Sequence, residues 1–197
     1  MLSAILALQL AAPTTAEKIV AHAREQTTWG TRYDPAYVRL KYPGGDVPRD
    51  RGVCTDVVIR ALRSVGYDLQ KLVYEDKKRA PRAYPSRKRD PNIDHRRCRE
   101  LIPFFRRHGQ ELPIRPVNPS DWKPGDLVFW KLPGGLDHVG ILSDRRNPEG
   151  WPLVIHNIRT TAEEDVLWEW KVVARFRYPV PRAEKPARRV ESPKRKN

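Results

Sequence analysis

The apolar pattern of this chain changes period near Trp122, and that change restricts the folds open to it. Ahead of it apolar residues recur at helical spacing. Ile19, Val20 and Ala23 do so in residues 17–26, Val57, Val58, Ala61, Leu62 and Val65 after Cys54, and Leu69, Leu72 and Val73 in residues 69–78. Behind it the period is two, in residues 127–131, 138–142 and 152–158, with one or two more strands in 166–178. The breaks at 132–135 and 144–150 are short, which favours antiparallel pairing. Helices first and a meander afterwards predict an α+β domain, N-terminal helices packed on an antiparallel sheet.

The rest of the chain is less regular. Residues 27–50 read as loop, 79–92 as an exposed basic loop, and 94–109 as a helical stretch that Pro103 either kinks or opens. At 197 residues there is room for one domain with a proper core. The net charge of +14 calls for anionic surroundings, and nucleic acid, an anionic membrane surface and acidic cell-wall polymers all fit. The apolar run in residues 1–12 is too short to span a bilayer, and no other stretch approaches that length. It reads as the core of a signal peptide over residues 1–16, with a helix packed on the domain as the rival. An exported protein, periplasmic or envelope-associated, follows from that reading. Residues 179–197 are rich in Pro, Arg and Lys and read as a disordered basic tail, leaving 17–178 as the domain.

Cys54 stands where a Gly- and Pro-rich loop gives way to the strongest helical stripe, which Gly66 is placed to cap. In a first helical turn the free N–H groups and the helix dipole favour negative charge, so a thiol there ionises below its usual value of about 8.5. Two other readings compete. Cys54 could be a small buried apolar residue, or it could pair with Cys98 in a disulfide, which would remove the nucleophile. Downstream, His138 begins one strand and shares a face with Gly140 and Leu142, while His156 shares a face with Val154 and Ile158. Antiparallel pairing makes these histidines cross-strand neighbours. A cysteine nucleophile needs a base, and the base needs a polar group to fix its tautomer, so Cys54, His138 and His156 are the candidate catalytic residues. A zinc site of Asp137, His138, His156 and His95 lacks tight ligand spacing, so no metal is expected.

Several runs are similar to a known group of proteins. Tyr42-Pro-Gly-Gly45 ahead of Gly52-Val-Cys54, then Lys123-Pro-Gly-Asp126-Leu-Val-Phe, His138-Val-Gly-Ile and Val154-Ile-His156, resemble the NlpC-type cell-wall peptidases, bacterial members of the papain-like cysteine peptidases. More closely, the chain resembles the domain-of-unknown-function 1287 family. The matching runs begin at Tyr33, Tyr42, Gly52, Asp68, Asn92 and Ile155 and are spread over residues 17–178. The resemblance implies a papain-like fold with Cys54 as nucleophile, His138 as base and His156 as its orienter. It implies hydrolysis of an amide in peptidoglycan peptides through a thioester, with peptidoglycan or another anionic envelope polymer as partner. No organic cofactor is implied, nucleic acid is not favoured, and the chain is read as a monomer. Tyr42 matches the tyrosine that helps hold the oxyanion in that group. Val53-Cys54-Thr55-Asp56 departs from the usual Asp-Cys-Ser-Gly, which places Asp56 beside the groove. Asp94 reads as a helix cap with Arg96 and Arg97 on a solvated face, or else Asp94, His95 and the arginines hold a substrate carboxylate. Cys98 stands where that family has an apolar residue, which weakens the disulfide alternative. Two other functions remain open: transamidation or acyl transfer on the same fold, and non-catalytic binding of the envelope or of nucleic acid by the basic surface.

Overall fold

A computed structural model describes residues 11–115 and 117–180. Most of the expected leader and nearly all of the basic tail therefore lie outside the described residues. Four helices precede the main sheet: α1 (Thr15–Glu25), α2 (Cys54–Arg63), α3 (Leu69–Arg79) and α4 (Cys98–His108). α1 starts inside the segment expected to be a leader, because Thr14 and Glu17 close a capping box there: Thr14 Oγ1 accepts the Glu17 N–H at 3.2 Å and Glu17 accepts the Thr14 N–H at 2.6 Å. α2 is the central helix, and all of its residues from Cys54 to Leu62 are buried. Val58 and Leu62 are fully covered, and burial of each contributes about 1.5–3 kcal/mol. Gly66 follows α2 at φ +90°, the left-handed conformation expected of its cap.

The expected single helix over 94–109 is two elements. Asp94–Arg96 forms one 3₁₀ turn, Arg97 is extended, and α4 begins at Cys98, with Pro103 inside it. The loop 27–50 contributes a short strand, β1 (Arg32–Tyr33), which pairs in parallel with β2 (Arg51–Gly52) just before Cys54.

The main sheet is built from β3 (Gln110–Glu111), β4 (Leu127–Lys131), β5 (Asp137–Arg146), β6 (Pro152–Asn157), β7 (Thr161–Glu164) and β8 (Lys171–Arg177). Its order is β3-β8-β4-β5-β6-β7 and every neighbouring pair is antiparallel. β5 runs four residues past the expected end into the polar loop, and β7 falls in a stretch with no apolar alternation to reveal it. The period of two sorts the sheet's side chains into two cores. Leu127, Phe129, Val139, Ile141, Ile155, Ala174 and Phe176 meet the helices. Val128, Trp130, Leu142 and Val154 face the other way, under Trp122 and Leu167. α2 packs across β5 and β6, which brings its N-terminus to the start of β5. Among the described residues no helix is long and apolar enough to cross a membrane.

Candidate active site

Cys54 is the first residue of α2, and its thiol lies between three groups. The Cys98 sulfur, at the first position of α4, is 3.9 Å away. The imidazole of His138 and the N–H of Val139, from the start of β5, are the others. Together they bring the Cys54 thiol down to about 5. The Cys98 S–H contributes most and His138 next, against the opposing effect of burial. The same contact raises Cys98, which stays protonated as the donor. The negative charge belongs on Cys54 because only its sulfur also meets His138 and the Val139 N–H.

The two histidines meet as the strand faces require, although the register is offset. Gly140, not His138, stands opposite His156, and His138 is its diagonal neighbour. The rings nevertheless lie edge to face with centroids 5.0 Å apart, and His138 Nε2 is 2.9 Å from His156 Nδ1. Gly140 permits this approach. A Cβ there would lie 2.5 Å from Val154 Cγ1 and 3.2 Å from the Cβ of His156. Trp130 and Trp170 pack against the pair at centroid distances of 5.5–5.9 Å. Burial, helped by the His138 charge, lowers His156 to about 4, so it is neutral at physiological pH.

Glu164, on the edge strand β7, completes the chain of contacts, its Oε2 lying 3.0 Å from His156 Nε2. A carboxylate accepts, so His156 carries its proton on Nε2 and presents the Nδ1 lone pair. His138 must then donate from Nε2, which leaves its Nδ1 free to take the thiol proton. One surface carboxylate thus sets both tautomers. The sequence reading missed Glu164. Its only sequence signal is the polar segment 161–164, two strand positions beyond the turn after His156.

The cleft over Cys54 has a volume of about 350 Å³ and is lined by Tyr33, Tyr37, Ile93, Arg97, Cys98 and Asp137, among others. Tyr42 is not among its lining residues. Its hydroxyl donates to Glu75 at 3.3 Å and its ring packs on Tyr74, and the tyrosines at the cleft are Tyr33 and Tyr37. Burial, with the charge at Cys54 adding to it, pushes the Tyr33 phenol up, keeping it a protonated donor.

Asp56 is likewise committed elsewhere. It accepts the Val53 N–H at 2.7 Å and both donors of Arg96 at 2.9 Å, and it is 2% exposed. Thr55 Oγ1 donates to the Arg96 carbonyl at 3.0 Å. Thr55 and Asp56 therefore clamp residues 94–97 to the mouth of α2, and two residues later the chain places Cys98 beside Cys54. Asp94 accepts the Asp90 N–H and pairs with Lys77 at 3.0 Å, both inside the fold. His95 is buried outside the cleft lining, its Nδ1 without a hydrogen-bond partner, and burial lowers it to about 4. Neither lines the cleft over Cys54. Among the described residues no group of three or more His, Cys, Asp or Glu side chains is arranged to hold a metal ion, and both cysteines are free thiols.

The span that builds this site is also the span that matches known proteins. The family model described as Domain of unknown function (DUF1287) matches residues 20–178, from α1 to the end of the sheet. The chain is 53% identical over 161 residues to Uncharacterized protein YijF of Escherichia coli (strain K12), covering 79% of this chain and 78% of that one. Helix mouth, paired histidines and clamp all fall inside the matched span, and the chain belongs to the DUF1287 family.

Proposed function

We propose that the protein is a cysteine amidase or peptidase that cleaves an amide in cell-wall peptides through a thioester acyl-enzyme. One observation carries the reading. A cysteine at a helix mouth has its thiol held near 5 in part by a histidine whose tautomer is fixed by a second histidine and a carboxylate. The Cys54 thiolate attacks the carbonyl carbon, and the proton it gave up resides on His138 Nδ1. The oxyanion is received by the Cys54 N–H, in a turn where donors lack intrahelical acceptors, and by the Tyr33 hydroxyl. His138 then protonates the leaving amine as the C–N bond breaks. It next takes a proton from the water that attacks the thioester, which releases the acid and frees the thiol.

The papain-like placement rests on the nucleophile helix packed across an antiparallel sheet that supplies base and orienter, in the chain order Cys, His, His. The peptidoglycan assignment rests on the resemblance to NlpC-type peptidases and is supported by the +14 charge, suited to retention on an anionic envelope. Export to that compartment belongs to the same proposal.

Purified sacculi incubated with the parent protein and with Cys54→Ala, followed by mass spectrometry of the released fragments, test it. New termini from the parent alone are expected. Identical fragments from both proteins would falsify the assignment. A primary amine added to the same reaction separates hydrolysis from acyl transfer, since transfer leaves the amine on the new carbonyl end.

A further inference from the structure

Cys54 and Cys98 open two different helices, yet their sulfurs lie 3.9 Å apart on the wall of one cleft. The reaction proposed above consumes only Cys54. The Asp56–Arg96 ion pair and the Thr55 hydrogen bond hold the second sulfur in place, so the proximity is built into the fold. We propose that Cys54 and Cys98 form a reversible dithiol–disulfide couple, in which a hydroperoxide oxidises Cys54 and Cys98 resolves the product, closing the site until a thiol reductant reopens it. The couple stands on the two sulfurs alone, and only its consequence for catalysis rests on the amidase reading.

The steps balance. The Cys54 thiolate attacks the distal oxygen of the hydroperoxide. An S–O bond forms, the O–O bond breaks, the sulfur gives up two electrons, and the peroxide leaves as alcohol or water after taking a proton. Cys54 is then a neutral sulfenic acid. Its negative charge had been holding the Cys98 proton in place, and with that charge gone Cys98 ionises more readily. Its sulfur attacks the sulfenic sulfur, an S–S bond forms, the S–O bond breaks, and hydroxide departs as water with the Cys98 proton. Closing from 3.9 Å to the disulfide length of about 2.05 Å takes less than about 2 Å of sulfur travel. The pair is unsymmetrical in the way this sequence needs. One thiol is ionised and lines the cleft, and the other stays protonated until the first has reacted. An external dithiol reverses the couple by exchange through a mixed disulfide.

The test uses the purified full chain, with Cys98→Ser and Cys98→Ala beside it, each treated with one equivalent of hydrogen peroxide. Intact mass is read without reductant, and Cys54 alkylation by iodoacetamide is followed at mildly acidic pH. The parent is expected to lose two hydrogens as a monomer, yield a Cys54–Cys98 linked peptide on digestion, and lose Cys54 labelling completely until dithiothreitol restores it. Both Cys98 variants are expected to stop at a dimedone-reactive sulfenic acid with one equivalent, and with excess peroxide to proceed to oxygenated forms that dithiothreitol does not reverse. Should neither variant fold, the linked peptide from the parent decides alone. The proposal is overturned if the parent acquires sulfinic or sulfonic acid at Cys54 while Cys98 stays reduced, or if the disulfide joins two copies. Reduced protein that leaves sacculi intact while still forming the linked peptide removes the amidase reading and supports the couple.

Discussion

Helix α2 anchors two sets of buried polar groups that do opposite work. Beside the cleft a set of charged side chains meets fixed opposite charges. Arg96 grips Asp56 at 2.9 Å, Lys77 lies 3.0 Å from both Asp94 and Glu100, and Arg60 reaches Asp46 at 3.0 Å. In the cleft the thiol of Cys54 meets a second thiol and an imidazole, groups without a permanent charge. The difference teaches where reactivity comes from. A buried ion with a permanent counter-ion becomes a clamp, and its removal is felt by the whole fold. A buried acid whose partners can themselves gain or lose protons becomes a nucleophile, and its removal is felt by the chemistry.

Variants on the two sides should therefore fail differently. The largest effect is expected at His138→Gln, which lowers turnover of the sacculus reaction by about 10²–10⁴-fold and slows Cys54 alkylation at mildly acidic pH. Urea unfolding of the same variant should remain cooperative. A variant that unfolds instead of losing turnover breaks the comparison. Next comes Arg96→Met, which strands Asp56 without its counter-ion and is expected to cost about 3–5 kcal/mol in urea unfolding. Cys98 labelling should quicken in this variant as the clamp opens. A change below about 1 kcal/mol would mean that the pair is not the clamp described.

The third prediction concerns acid. His95 is buried neutral with its value lowered from 6.5 to about 4, so between those values the unfolded chain binds a proton that the folded chain does not. Stability is full above the unfolded value and declines as pH falls towards 4, with about 2 kcal/mol lost from pH 7 to pH 4.5 on this account. His156, also lowered to about 4, acts in the same window. His95→Gln should flatten the decline measured by urea unfolding across this range. An unchanged slope assigns the whole loss to the histidine pair. The smallest effect is expected at Glu164→Gln, a drop in turnover below about tenfold, because this half-exposed carboxylate competes with water. If turnover falls as far as for His138→Gln, the tautomer assignment extends to the surface more rigidly than its exposure implies.

How much of this was legible in the sequence depended on the range of the contacts. Cys54 announced itself through a local pattern, a helical stripe beginning at a loop, and the strand period put His138 and His156 on one face. Both rules act within one element. Asp56, Asp94 and Arg96 defeated the sequence reading because their partners come from other elements: Asp56 with Arg96, and Asp94 with Lys77. A charged cluster reads the same whether it faces a substrate or another charge. Tyr42 was chosen by resemblance to the NlpC-type peptidases, but Tyr33 reaches the cleft through the short β1–β2 pairing beside Cys54, which no apolar period marks. Glu164 was invisible because an edge strand with Thr, Ala and two Glu carries no burial pattern.

That edge position has a consequence of its own. The side chain of Glu164 is half open to water, whereas His138 and His156 are almost wholly enclosed. The imidazole pair is therefore linked to bulk solvent through Glu164, which does not line the cleft. A substrate filling the space above Cys54 seals the front of the site and leaves this route open. On the proposed mechanism the pair can then exchange protons with the medium while the acyl group is still attached.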